Sequence, residues 1–176
     1  MSRDESRSPH ANQVPRWPAI GLANDHAGFL LKAFVSDVLS QHCDRVIDVG
    51  AMSESPVDFP DVTRRAISLI KEGQVKRVIL VCGTGAGACI AANKIPGIRA
   101  AVCHDTFVAR QAVEHDDVNV LCIGAWIIGP QVARDVIETF LASEFRTEEH
   151  FRRRVDKLSD LEREAARALI EGRSFP

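Results

Sequence analysis

Cys82-Gly83-Thr84-Gly85-Ala86-Gly87 sets a sulfur directly before three alternating glycines. An apolar run, Val78-Ile79-Leu80-Val81, precedes it, and a helix-forming segment reaching Ala91-Ala92-Asn93-Lys94 follows. Glycines permit positive φ and close backbone approach, so this loop turns a buried strand straight into a helix N-terminus. Such a terminus presents unpaired N–H groups and partial positive charge, which stabilise a phosphate, an enediolate or a thiolate. A thiol held there can be tuned towards neutral pH and serve as a base. Other titratable groups stand at the ends of apolar runs: Asn24-Asp25-His26, His104-Asp105 and His115-Asp116. Asp25, His26, Cys82 and His115 beside a glycine loop are parts for proton transfer at carbon. Each has a plainer role open to it, and Asp25 in particular suits a cap for the helix starting near Gly28.

The elements that must position these groups alternate in type. Strands are expected over 19–23, 45–49, 77–81, 99–103 and 118–123, and helices over 29–41, 61–72, the segment after the glycine loop to about Asn93, 106–114, 129–142 and about 148–170. Short apolar runs alternating with amphipathic segments predict an α/β fold, a parallel sheet with helices on both faces. In open parallel sheets, ligands bind beyond the carboxyl ends of the strands. Asp25 and His26 after the first strand and Cys82 and Thr84 after the third belong to that edge. His115 and Asp116 precede the fifth strand, so they come from the opposite edge or from a neighbouring subunit.

Composition narrows the function. The 176 residues, 45% hydrophobic, suit one domain over 18–171, and residues 1–17, rich in Ser, Arg, Asn and Pro, read as a disordered leader. A net charge of −2 offers no bulk attraction to nucleic acid or membrane. No apolar run approaches the ~20 residues of a membrane span. Cys43, Cys82, Cys89, Cys103 and Cys122 lack zinc-site spacing, and their odd number without a secretory signal suggests reduced thiols in the cytoplasm. Cys89 reads as buried and inert.

Two mechanisms compete on these residues. Gly83, Gly85 and Asp105, about 20 residues on, imitate a dinucleotide fingerprint. Yet the third glycine comes one position early, the loop follows the third strand rather than the first, and a cysteine precedes it. The other mechanism is carbanion chemistry, with Cys82 removing a proton while the loop amides hold the oxyanion.

At this point the motifs carry a resemblance. Asn24-Asp25-His26-Ala27-Gly28, Asp58-Phe59-Pro60, Cys82 to Gly87, Ala91 to Lys94, Gly97-Ile98-Arg99-Ala100 and Glu114 to Leu121 follow the order and spacing of one family. From about Ala19 to Glu162 the chain resembles the type B ribose-5-phosphate isomerases and their galactose-6-phosphate isomerase relatives. The resemblance implies a Rossmann-like three-layer sandwich, a five-stranded parallel sheet with a long C-terminal helix, and no metal or organic cofactor. It implies a sugar or sugar-phosphate substrate and a homodimer or tetramer with active sites shared between subunits. By the same resemblance Cys82 is the base between C1 and C2 of a cis-enediolate, and Thr84 assists proton movement between the sugar oxygens. The amides of Gly83, Gly85, Ala86 and Gly87 form the anion hole, and His115 opens the furanose ring. Asp25 contacts sugar hydroxyls, while His26 and Arg154 fall at positions associated with phosphate; His115 and Arg154 face the partner's cysteine.

The chain also departs from the family. An arginine is usual two residues after the glycine closing the fifth strand, where Trp126 stands. The last helix opens His150-Phe151-Arg152-Arg153-Arg154 rather than Arg-His, Asp116 replaces the asparagine that usually follows the ring-opening histidine, and Phe59 replaces a tyrosine before proline. A lost phosphate arginine costs roughly 1.5–3 kcal/mol as a charged hydrogen bond. Trp126 offers a flat apolar face suited to a sugar ring or a less charged tail, or else packs at an interface. Arg152 and Arg153 either substitute in space or form a solvated face, with Phe151, Val155, Leu158, Ala165 and Leu169 at helical spacing beneath. The expected activity is an aldose–ketose isomerase with ribose 5-phosphate and ribulose 5-phosphate as the pair. Alternatives are another pentose or tetrose phosphate, an unphosphorylated sugar, or a non-catalytic sugar binder.

Overall fold

Three strands without polar alternation need cover on both faces, and crossover helices supply it. The structure, a computed structural model, describes residues 14–173. The elements run β1 (Ile20–Asn24), α1 (Phe29–His42), β2 (Val46–Asp48), α2 (Phe59–Lys71), β3 (Val78–Cys82), α3 (Ala86–Ala92), β4 (Ala100–Val102), α4 (Thr106–Asp116), β5 (Val120–Gly124), α5 (Pro130–Ala142) and α6 (Glu149–Ile170). All strand pairs are parallel in the order β2-β1-β3-β5-β4, and β1, β3 and β5 are buried throughout.

Alternation along β3 divides the core. Ile79 and Val81 pack with α1, α4 and α5; Val78, Leu80 and Cys82 pack with α2 and α3. The chain is thus the expected three-layer, Rossmann-like α/β sandwich with a long C-terminal helix. Cys82 pairs with Gly124 and Asn24 with Val81, so the carboxyl ends of the three central strands lie level. The edge strands β2 and β4 are three residues each, shorter than their sequence runs, because each has a partner on one side only. Helix α2 begins two residues before its expected start: Pro60 sits in the first turn, where the missing N–H costs no helical bond.

Residues 1–13 of the expected leader lie outside the described residues. Trp17, at its end, is packed: its backbone N–H donates to His42 O at 2.8 Å and its indole N–H to Leu141 O at 3.2 Å. The buried Arg77 guanidinium lies between the Trp17 and Phe140 rings and donates to Phe140 O and, at 2.8 Å, to Ser143 O. Burial brings its pKa down to about 10.

Helix α6 departs from the amphipathic expectation. Phe151 is buried as its spacing predicts, but Leu158 and Leu169 are exposed, since α6 lies outside the sandwich and packs on α4. Among the described residues, no helix is long and apolar enough to cross a membrane.

Candidate active site

The order β2-β1-β3 places the reversal of strand order between β1 and β3, where open α/β sheets form a crevice. Asp25 leaves β1 and Cys82 ends β3 at that point; both are buried, at 8% and 6% exposure. With Phe59, Val62, Thr63 and Ala88 they line a small crevice of about 10 Å³, roughly the room of one water molecule. No cationic side chain is among its lining residues. A larger hollow lies beside Trp17 and Gly73–Lys76, and no cysteine or histidine lines it.

Glycine chemistry explains how α1 comes so close to β3. A Cβ on Gly28 would lie 2.2 Å from Val81 O, so only glycine lets the turn from Asp25 to α1 rest on that backbone. Gly28 N–H in turn donates to Asp25 Oδ1 at 3.0 Å, which is the capping role open to Asp25 from the sequence. One Asp25 oxygen is thus spent on the turn before α1, and the residue also lines the crevice. His26 Nδ1 accepts from Val57 N at 3.3 Å, leaving Nε2 as the N–H nitrogen.

Gly85 caps α3 with φ +83, and this left-handed turn aims its own N–H at Cys82 Sγ, 3.0 Å away. A backbone N–H donated to sulfur stabilises negative charge there. Thr84 is exposed, and its hydroxyl accepts from Ala86 N at 3.4 Å. Ala86 and Gly87 open α3, and first-turn N–H groups have no partner within a helix. Two aromatic rings flank the loop. A Cβ on Gly83 would meet Trp126 Cζ3 at 2.7 Å, and one on Gly87 would meet the Phe59 ring at 3.3 Å. The turn after β5 is tied to the same loop, Ala125 N–H donating to Cys82 O at 2.8 Å and Trp126 N–H to Gly83 O at 3.0 Å. His104, at the end of β4, accepts from Gly124 N with Nε2 at 3.0 Å, a contact the sequence does not signal.

His115, Asp116 and Arg154 are not brought to this crevice within one chain. His115 and Asp116 end α4, at the edge of the sheet where β5 begins. The His115 ring stacks on Phe151 with centroids 4.3 Å apart, and Arg154 and Arg146 lie over the same Phe151 ring at 6.0 and 5.0 Å. Arg153 pairs with Glu149 at 3.1 Å on an exposed turn.

Cys89 is less buried than the sequence reading expects. It is half-buried; its thiol touches Ala100 O at 3.3 Å, and a hydrogen bond from Cys122 brings its pKa down to about 7, against the opposing effect of burial. Burial pushes Cys103 up to about 12 and holds Cys122 well above the ordinary thiol range. Among the described residues, no group of three or more His, Cys, Asp or Glu is placed to hold a metal ion.

The sequence and fold have close parallels. Residues 20–158 match the family model described as Ribose/Galactose Isomerase. The chain is 41% identical over 129 residues to the D-erythrulose-4-phosphate isomerase of Pectobacterium atrosepticum, covering 72% of this chain and 84% of the relative. Over 143 residues it is 34% identical to the ribose-5-phosphate isomerase B of Escherichia coli, covering 81% and 95%. The solved ribose-5-phosphate isomerase B of Clostridium thermocellum superposes with a TM-score of 0.80 at 40% identity, covering 84% of this chain and 99% of that one. On fold and the extent of these matches, the chain belongs to the ribose/galactose isomerase family.

Proposed function

We propose that the chain interconverts ribose 5-phosphate and ribulose 5-phosphate through a cis-enediolate, with Cys82 as the base. The observation carrying this reading is the placement of buried Cys82 Sγ beside Asp25 at the strand-order reversal, with Gly85 N–H on the sulfur at 3.0 Å. The Cys82 thiolate takes the C2 proton of the aldose, and the electron pair moves through C1=C2 onto O1. Loop N–H groups of Gly83, Ala86 and Gly87 hold that oxyanion, and Gly85 N–H serves the sulfur as well. Thr84 carries the hydroxyl proton from O2 to O1, and the sulfur returns its proton to C1 to give the ketose. Asp25 orients the sugar hydroxyls through the oxygen not spent on Gly28 N–H, and His26 meets the phosphate through Nε2.

His115, Asp116 and Arg154 enter this reading from a second copy of the chain. They stand at the opposite edge of the sheet from Cys82, and α6 carries Leu158, Leu161, Leu169 and Ile170 exposed to a partner. A homodimer, or a tetramer built from it, then completes each site, with the partner's histidine opening the furanose ring.

Cys82→Ala tests the base: turnover drops at least about a hundredfold while the thermal transition is kept. Substantial residual turnover removes Cys82 from that role. A specific observation favours a second reading, a tetrose phosphate, since a relative 41% identical is a D-erythrulose-4-phosphate isomerase. One coupled assay over ribose 5-phosphate, erythrose 4-phosphate and free ribose decides among them. Equal or better turnover of free ribose rules out a phosphate site.

A further inference from the structure

Given isomerisation at Cys82, we propose that Trp126 is a substrate-contacting, specificity-determining residue, the free face of its indole meeting the C–H face of the sugar chain held in the glycine loop. Its position follows from backbone bonds. Cys82 pairs with Gly124, and the next two amides, Ala125 and Trp126, donate to Cys82 O and Gly83 O. The ring is thereby fixed to the loop that holds the reacting end of the substrate. Its inner face rests on Gly83, the residue type that leaves it room: a Cβ there would come within 2.7–3.1 Å of three indole atoms.

The residue is nonetheless 72% exposed. Phe59 takes the same posture at the other end of the loop, seated on Gly87, partly exposed, and lining the crevice with Asp25 and Cys82. Two aromatic rings therefore flank the glycine loop; Phe59 also lines the crevice, whose lining has no cation. Hydroxyls of a sugar are matched by Asp25 and the loop amides; its carbon skeleton has the indole as its apolar counterpart. C–H groups against an aromatic face gain contact that inorganic phosphate, having no carbon, does not.

The test uses the full chain and its variants W126A and W126F, with ribose 5-phosphate as substrate and inorganic phosphate as competing ligand. W126A raises KM about two- to tenfold, the loss of one aromatic contact, with kcat within about threefold. The Ki of inorganic phosphate and the solution mass stay as in the parent, and W126F restores most of KM. The two tryptophans are Trp17 and Trp126, so ribose 5-phosphate alters the emission of the parent and leaves that of W126F unchanged. An unchanged KM in W126A, an equal rise in KM and phosphate Ki, or a loss of solution mass in W126A overturns the assignment. If the parent turns over erythrose 4-phosphate and not ribose 5-phosphate, the substrate proposed above falls, and the same comparison is made with erythrose 4-phosphate. A parent that turns over neither overturns both.

Discussion

Gly28→Ala couples the fold to the site at one atom. The new Cβ would lie 2.2 Å from Val81 O, 2.5 Å from Val81 C and 3.0 Å from Cys82 N. Ordinary contact begins at 3.4 Å, so the first turn of α1 and β3 must separate by 3.4 − 2.2 = 1.2 Å. No flexible side chain can absorb this, because every atom met belongs to the β3 backbone. Overpacking of a tight contact costs typically 1–3 kcal/mol, and with backbone on both sides the upper figure, about 3 kcal/mol, applies. For a domain of this size that lowers Tm by about 6–12 °C. The same shift moves Asp25, whose Oδ1 is bonded to Gly28 N, away from Cys82. A misplacement of about 1 Å costs on the order of a hundredfold in turnover. Thermal unfolding and steady-state isomerisation measured well below Tm read the two effects separately. Gly129→Ala is the control: its Cβ meets nothing within 4 Å and its φ of −81 suits alanine. A G28A variant with the parent's Tm refutes the packing argument; one with lowered Tm and the parent's kcat/KM refutes its link to the site.

Cys89 reacts with iodoacetamide ahead of Cys103 and Cys122, at a rate that climbs between about pH 6 and 8 as its thiol, with a pKa of about 7, deprotonates. Peptide mapping by mass spectrometry checks this, and labelling of Cys103 or Cys122 first refutes it. Because the folded-state pKa of Cys89 lies below the ordinary thiol value of 9.0, the unfolded chain binds more protons between these values. This thiol therefore makes stability rise with pH from about 7 to 9, and the contribution is lost as pH falls through about 7. Cys82→Ala and His115→Ala, each inactive alone, recover about a quarter of parental activity when their subunits are exchanged, if each dimer site draws on both copies. No recovery after verified exchange refutes a shared site.

Much of this was legible because local and global signals agree. The run Val78–Val81 is apolar on both faces, which only a central strand tolerates, and it delivers Cys82 to the loop edge. Gly85 is legible too, since strand and helix can be joined so tightly only through a left-handed turn. What escaped the sequence depends on partners distant along the chain. Nothing near Cys89 announces Cys122, 33 residues on, whose hydrogen bond sets its titration. The seat of Trp126 on Gly83 requires the β3–β5 register, and that follows from a crossover through α3, β4 and α4. Leu158 and Leu169 show the reverse failure: helical spacing marks an apolar stripe without saying whether the same chain covers it.

That uncovered stripe and the split set of titratable groups have one geometric cause. Along β5 the rise is about 3.3 Å per residue, so Val120 and Gly124 are about 13 Å apart, with His115 beyond the first and Cys82 beside the second. No side-chain rotation in one chain closes that gap. Arg146, Arg154, His115 and His150 gather around Phe151 at the edge that lacks the cysteine, while the crevice beside the cysteine lacks a cation. The crevice without a cation and the Phe151 cluster, where Arg146 is already paired with Glu148 and Arg154 lies over the ring, are complementary in what they lack. They are also oppositely placed, so a second copy can bring one to the other. The aromatic ring on Gly83 belongs to the half that has no charge to offer. In the homodimer proposed above, the carbon skeleton would be read by the subunit that holds the base, and the anionic tail by that subunit's His26 together with the partner's Arg154.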